Sequence, residues 1–346
     1  MMHNTTTSSL PSHLWVSEIK QDDQVRGQYL VRTKRTASTK KGAPFLIITL
    51  SDRTGEIEAK VWDRVEEFAP LFKEGDVLEV DGIAGPYRNQ LQITLSTLRA
   101  VTEVSDPSIF LEVTRKDINK MMGSLRELLK TIRHSRIKAL VESFLADRQF
   151  IGLFKHAPAA KSFHHSYVGG LLEHTLSVCQ MTRSIADHYP QLDSDLLLAG
   201  AFLHDIGKVR ELRWDRLIDY TDEGRLIGHL TLGVTMMDER LARLGRFPEE
   251  IGQRLKHLIL SHHGEYEFGS PKRPKFLEAF ALHLIDDLDA KINGLSRFME
   301  KDKQEGHWTD FNRLFERYFL KVKMQSADKT EGDFDDRQKG LFPPSD

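Results

Sequence analysis

The chain has 346 residues, with 49 Lys and Arg against 51 Asp and Glu, for a formal net charge of −2. That length accommodates two domains of ordinary size. The balanced charge means that any contact with nucleic acid must come from a local patch rather than from bulk charge. A composition that is 40% hydrophobic and 29% charged suits a soluble globular protein. The single cysteine, Cys179, excludes a disulfide framework or a cysteine-rich zinc site within the chain and fits a reducing cytoplasm, the expected location. No apolar run approaches ~20 residues, so no membrane span is expected. The opening MMHNTTTSSLPSH lacks an apolar signal-peptide core.

Residues 1–13 read as a disordered lead. From 14 to 104 the pattern is strand-like: VRGQYLVRTKR, FLIITLSD, EIEAKVWD, DVLEVDGIAG and QLQITLSTLRAV, separated by turn residues. Five strands, with a short helical piece (Arg64 to Phe72) between the third and fourth, predict a small five-stranded β-barrel of the OB type. A polar link, 105–125, contains Pro107. Over 126–325 helical periodicity takes over, which makes the fold class β plus α: a barrel followed by an all-α bundle. The segments read as helices are MMGSLRELLKTI, SRIKALVESFLAD, GGLLEHTLSVCQMTRSIADHY, SDLLLAGAFLHD, HLTLGVTMMDERLARL, EEIGQRLKHLILSHH, PKFLEAFALHLIDDLDAKINGL and DFNRLFERYFLKV. The tail, 326–346, is charged, with few apolar anchors, and reads as disordered.

One helix poses a chemical problem. SDLLLAGAFLHD is apolar almost throughout, begins at the good N-cap residues Asp193 and Ser194, and ends in His204-Asp205 before Gly207, a natural stop. A buried carboxylate needs a cation beside it. An ion pair with Lys208 would serve, and so would a metal. Other histidines fall on apolar helix faces. His174 is in register with Leu171, Val178, Met181 and Ile185, and His262 follows Ile251, Leu255 and Leu258, with His263 beside it. His229 opens a helix, and Asp286 and Asp289 share one side of another. Each alone is most simply a core histidine or an ion-pair partner. Together they are a donor set for divalent Mn, Fe, Co, Ni or Zn, and two such ions ~3.5–4 Å apart can activate water and clamp a phosphoryl group.

The order H…HD…H…HH…D resembles the HD-domain superfamily of metal-dependent phosphohydrolases. Matched residue by residue, the resemblance implies His174, His204, Asp205, His229, His262, His263 and Asp286 as metal ligands. Asp205 would be shared between two ions, and Lys208 would contact substrate phosphate, which makes Asp205 and Lys208 the implied catalytic pair. The stretch KHAPAAKSFHHSYVGGLLEHT, with SHHGEYEFGSP, LHLIDDLDAK and the barrel in front, is similar to the YhaM-type 3′-to-5′ exoribonucleases of bacteria. That resemblance spans roughly 14–325 and implies removal of nucleotides from single-stranded RNA, and sometimes DNA. It implies two divalent ions, with Mn first and Co, Fe, Ni or Mg as alternatives. Gly269-Ser270-Pro271 stands where cyclic-dinucleotide phosphodiesterases of the superfamily carry Gly-Tyr-Pro, which argues against that activity. Gly170, four residues before His174, leaves no further carboxylate for a third ion. A hydrolase of small nucleotides and a di-iron oxygenase remain the alternative uses of such a centre.

The barrel adds its own expectation. OB folds bind single strands through a basic groove and stacking aromatics. The first inter-strand region, RTKRTASTKKG, carries Arg32, Lys34, Arg35, Lys40 and Lys41 and no acid. Tyr87 and Arg88 precede the last strand, and Trp62 and Phe45 could stack on bases or fill the barrel core. His164, His165 and Tyr167, just before the metal helix, are candidates for contacts to phosphate or ribose, or for a hydrogen-bonded loop. Oligomerisation is left open.

Overall fold

The structure is a computed structural model, which describes residues 13–87, 90–102, 107–302, 304 and 306–321. Residues 1–12 of the expected lead 1–13, the expected tail 326–346 and the candidate Arg88 lie outside the described residues, and His13, the last residue of that lead, bonds Asp52 at 3.1 Å. The chain forms two compact units, Met1–Gly294 and Leu295–Asp346.

The expected barrel is present. Its strands are β1 (Gln24–Ser38), β2 (Pro44–Asp52), β3 (Gly55–Val61), β4 (Val77–Tyr87) and β5 (Gln90–Val101). They close in the order β1-β2-β3-β5-β4, with β3 and β5 parallel and the other pairs antiparallel. Alternate residues fill the interior: Val25, Tyr29, Val31, Leu46, Ile48, Leu50, Ile93 and Leu95 are all buried. A short helix, α1 (Val65–Phe68), running into a 3-10 turn (Ala69–Leu71), plugs one end with Val65, Phe68 and Phe72, where the sequence placed a helical piece.

The basic stretch after Val31 is not the inter-strand loop that its composition suggested. β1 continues to Ser38, pairing Arg35 with Ile47 and Ser38 with Pro44, so only Lys40 and Lys41 occupy the turn. Thr33, Lys34, Arg35 and Thr36 keep an extended backbone because β2 supplies a ladder of partners, and the side chains of Thr33, Arg35 and Thr36 are exposed.

The helical domain runs through α2 (Ile118–Lys130), α3 (Ser135–Leu145), α4 (Arg148–His156), α5 (Gly170–His188), α6 (Ser194–Leu203) and α7 (Lys208–Glu211). A small hairpin of β6 (Leu212–Arg213) and β7 (Asp219–Tyr220) follows, then α8 (Asp222–Ile227), α9 (His229–Leu244), α10 (Glu249–Ser261) and α11 (Leu277–Lys301). The first of these helices begins at Ile118, inside the stretch read as a link. Side chains of Asp117, Asp147, Asp193 and Thr221 cap the N-termini of α2, α4, α6 and α8. At the centre lies α6, buried from Leu196 to Leu203, which is why it reads as apolar all round. The hairpin ties the bundle to the barrel: Arg216 donates to the carbonyls of Val101 and Thr102, and Leu217 packs on Leu30, Val77 and Phe110.

The segment DFNRLFERYFLKV is not a helix. The Asn312 side chain accepts hydrogen bonds from the N–H groups of Leu314 and Phe315, and isolated bridges join Asn312 to Arg317 and Trp308 to Leu320. A local side chain–backbone turn has outcompeted the helix that its apolar spacing suggested. No helix among the described residues is long and apolar enough to cross a membrane.

Candidate metal centre

The site is built by bringing the ends of helices together. His174 comes from the second turn of α5, Asp286 from α11 and His229 from the first residue of α9. His204-Asp205 forms the turn leaving α6, and His262-His263 the turn leaving α10. The sequence carried α10 through His263; it stops at Ser261, which frees the paired histidines to turn inward. Gly207 has ordinary right-handed helical angles, so it is not the left-handed stop that the sequence suggested. Its role is close approach: a Cβ there would lie 2.0 Å from the carbonyl oxygen of His229. The missing side chain brings the His204-Asp205 turn against the start of α9.

The six other expected ligands gather around Asp205, which is 1% exposed. Its Oδ2 lies 3.5 Å from His174 Nε2, 3.3 Å from His204 Nε2 and 2.6 Å from Lys208 Nζ. Its Oδ1 lies 3.6 Å from both His229 Nε2 and His262 Nε2 and has no hydrogen-bond partner. Asp286 Oδ1 is 3.0 Å from His174 Nε2 and 3.7 Å from His204 Nε2. On the other side, His229 and His263 face each other, Nε2 to Nε2, at 3.3 Å. Candidate ligand atoms fall into triads within 4.8 Å, among them His174, His204 and Asp286, and His229, His262 and His263.

The imidazoles are oriented from behind. Nδ1 of His204, His262 and His263 donates to the backbone carbonyls of Ala201 (2.8 Å), Ile259 (2.8 Å) and Phe268 (3.0 Å). Nδ1 of His174 bonds Asp289 (2.7 Å) and that of His229 bonds Glu211 (2.9 Å). The carbonyls behind His204, His262 and His263 can only accept, so the Nδ1 atoms carry the protons and the neutral rings turn an unprotonated Nε2 to the centre, where a cation would satisfy several lone pairs and an orphaned carboxylate oxygen. The donor set therefore fits divalent metal ions, as the sequence implied.

The electrostatics of the ion-free cluster agree. Burial raises the Asp205 carboxyl, but Lys208 and His204 beside it bring it well below the usual carboxylate range. Burial likewise disfavours ionised Asp286, and hydrogen bonding to His174 with the charges of His204 and His174 overturns that. Burial, then the neighbouring His229, lowers His263 to about 4, and burial with the charge of His263 pushes His262 well down. Only His174 moves the other way. Burial lowers it, but hydrogen bonds to Asp286 and Asp289 lift it to about 9. Metals bind neutral imidazole, so ion binding must displace that proton.

The other candidates divide. Lys208 is buried, its Nζ held on Asp205 at the rim of the cluster. His164 also borders the cluster: its ring centroid is 5.2 Å from that of His174, and its buried Nδ1 has no hydrogen-bond partner. His165 turns away. Its Nε2 bonds Asp289 (3.0 Å) and its Nδ1 bonds the Tyr167 hydroxyl (2.9 Å), so both ring nitrogens are engaged within the protein behind His174. Sequence reasoning missed Glu211, whose partner His229 is 18 residues away and reaches it only through the tertiary fold.

On the barrel, Lys34 is committed to structure: its Nζ donates to the carbonyls of Ala69 and Phe72 and lies 4.3 Å from the Phe72 ring centroid. Arg32 bonds Ser51 and pairs with Glu56. Arg35, Lys40 and Lys41 are exposed. The aromatics form a surface cluster rather than core. Phe45 stacks on Trp62 at 4.6 Å and 20°, and Lys60 Nζ lies 4.1 Å from the Tyr87 centroid and 5.7 Å from that of Trp62. Trp62 is 43% and Tyr87 46% exposed.

An OB barrel followed by a helical domain with this His/Asp centre defines an OB-fold protein carrying an HD domain. Family models agree: an "OB-fold nucleic acid binding domain" matches residues 25–101 and an "HD domain" matches 171–291. A third model, described as a putative helicase, matches 114–194. The chain belongs to the YhaM 3′-5′ exoribonuclease family. It is 37% identical over 290 residues to the 3′-5′ exoribonuclease YhaM of Bacillus subtilis, covering 83% of this chain and 91% of that protein. Against the YhaM of Halalkalibacterium halodurans it is 34% identical over 281 residues, 81% of this chain and 87% of that protein.

Proposed function

We propose that this protein is a metal-dependent 3′-to-5′ exoribonuclease that releases nucleoside 5′-monophosphates from single-stranded RNA at a two-ion His/Asp centre. The observation that carries it is the carboxylate of Asp205, with Oδ2 facing His174 and His204 and the partnerless Oδ1 facing His229 and His262. That arrangement suits a carboxylate shared between two cations. His174, His204 and Asp286 would hold one ion, His229, His262 and His263 the other, with Mn the expected metal. Bound divalent ions supply Lewis-acid activation of water and neutralise charge on a phosphodiester.

The chain's own residues do the rest. Backbone carbonyls and the carboxylates of Asp289 and Glu211 hold the Nε2 atoms in place before substrate arrives. Lys208, fixed by Asp205, offers its positive charge to a non-bridging phosphate oxygen as negative charge builds there. His164 presents an unused Nδ1 at the same rim and is suited to a second phosphate or ribose contact. Water attacks phosphorus, the bond to the 3′ oxygen of the penultimate nucleotide breaks, and the terminal nucleotide departs with its 5′ phosphate. On the barrel, Arg35, Lys40 and Lys41 would contact phosphates while Trp62, Phe45 and Tyr87 offer faces for bases. The test is to identify the products of a uniformly labelled single-stranded RNA incubated with Mn²⁺. Nucleoside 5′-monophosphates are expected. Nucleoside 3′-monophosphates, or hydrolysis confined to free nucleotides, would overturn the assignment.

A further inference from the structure

Five histidines face the centre, and their rear hydrogen bonds are not equivalent. Three rest on neutral backbone carbonyls, and two rest on carboxylates, those of Glu211 and Asp289. The two carboxylate-backed rings are His229, in the triad with His262 and His263, and His174, in the triad with His204 and Asp286. Each half of the cluster therefore has one charged support of its own. The halves also differ in donors. One offers three imidazoles and Asp205 Oδ1; the other offers two imidazoles, Asp286 and Asp205 Oδ2.

Resting on the two-ion reading above, we infer that the halves are unequal metal sites separately controlled by two positioning residues: Glu211 sets the nitrogen-rich half through His229, and Asp289 sets the mixed nitrogen–oxygen half through His174. Both supports are themselves held rigidly. Glu211 Oε1 accepts a hydrogen bond from the His229 ring Nδ1–H at 2.9 Å and another from its backbone N–H at 3.0 Å, so one oxygen fixes both ring and helix start. The Glu211 backbone is pinned in turn, its carbonyl accepting from Thr221 N–H at 2.9 Å, with Gly224 packed so close that a Cβ would lie 2.2 Å from that carbonyl oxygen. Asp289 is shared among His174, His165 and the Ser177 hydroxyl. His165 is locked by Tyr167 and by an N–H bond to Asn293 at 2.8 Å.

A carboxylate behind a ligand histidine fixes its tautomer and raises its basicity, and losing such a support typically costs 10–100-fold in metal affinity. Imidazole donors favour ions such as Co²⁺ over Mn²⁺ or Mg²⁺, which suit carboxylates. Cobalt should therefore fill the nitrogen-rich half first.

The experiment is a Co²⁺ titration of the metal-free full-length protein, followed by d–d absorption and by equilibrium dialysis. The parent should take up two equivalents. Glu211→Gln should weaken the first by 10–100-fold and spare the second; Asp289→Asn should do the reverse. Glu211→Ala should lose more than Glu211→Gln, because Gln retains an acceptor for the ring N–H. A residue that served folding alone would lower the unfolding temperature of the metal-free protein without separating the two equivalents. Should Asp289→Asn unfold, Ser177→Ala removes one hydrogen bond from Asp289 and should weaken the second equivalent severalfold. Variants that weaken the same equivalent, both or neither overturn the assignment. A parent that binds fewer than two ions overturns the two-ion reading itself, and this inference with it.

Discussion

Asp205 Oδ1 stands 3.6 Å from His262 Nε2 with no hydrogen to share, because the proton of His262 lies on Nδ1, directed at the carbonyl of Ile259. Two buried acceptors that face one another are unfavourable unless a cation joins them. Asp205→Asn would keep the shape and supply an N–H where the cation belongs. We expect it to lose metal stoichiometry measured by elemental analysis, and to lower kcat by at least ~10³-fold, as removal of a group central to transition-state charge stabilisation does. Because the variant also removes the carboxylate that holds the buried Lys208 Nζ at 2.6 Å, the unfolding temperature of the metal-free protein should fall. Full metal content in the variant would contradict this.

The ion-free protein should be most stable near pH 6.5. His174, lifted to about 9, contributes stability that is fully present below its unfolded value of 6.5 and is lost as pH rises through 9. His263, lowered to about 4, acts in the opposite sense, since the unfolded chain binds its proton first and stability falls as pH drops from 6.5 towards 4. His262, pushed well down by burial, adds to the acid limb. Urea midpoints of the chelated protein measured from pH 4.5 to 9.5 should trace a bell. A midpoint that does not change between pH 6.5 and 9 would contradict the His174 assignment.

Gly207→Ala places a methyl group 2.0 Å from the His229 carbonyl oxygen, and that oxygen belongs to backbone that cannot swing aside. The α9 start must then move, taking His229 with it. A loss of about 3 kcal/mol or more in urea unfolding is expected, with weaker binding of the ion held by His229. A loss below about 1 kcal/mol, the range of ordinary surface changes, would show that the approach is looser than described.

The barrel lysines should separate by role. Lys34 is bonded to two carbonyls at the helical plug, so Lys34→Ala should destabilise the barrel and leave the salt dependence of RNA binding alone. Replacing Arg35, Lys40 and Lys41 with Ala should reduce the slope of log K against log salt by about 0.7 for each phosphate that the variant no longer neutralises. Trp62→Ala should cost about 1–3 kcal/mol of binding at an unchanged slope. Binding isotherms at several salt concentrations check all three; an unchanged slope in the triple variant would contradict the phosphate assignment.

The His/Asp cluster was legible because its members sit in local patterns, such as an inward His on a 3.6-residue face or a His-Asp closing an apolar helix. The barrel was legible through its period of two. What was not legible depended on residues distant in sequence. The pairing of Glu211 with His229 needs the β6–β7 hairpin to return the chain, and Lys34's commitment to Ala69 and Phe72 needs the plug to close the barrel. The terminal DFNRLFERYFLKV failed for a local reason, since the Asn312 turn shares its apolar spacing with a helix. Which of the two readings of His165 applies was not legible, because a His-His pair gives no sign of which ring faces the site; its ring bonds Asp289 and Tyr167.

A time course on 5′-labelled single-stranded RNA with Mn²⁺, run beside the protein carrying His204→Ala and Asp205→Ala, reads both the direction of degradation and the place of the chemistry. A ladder shortening from the 3′ end is expected in the parent, and none in the double variant or in chelator. A ladder that persists in the double variant, or RNA that stays intact in the metal-loaded parent, would contradict the proposed function.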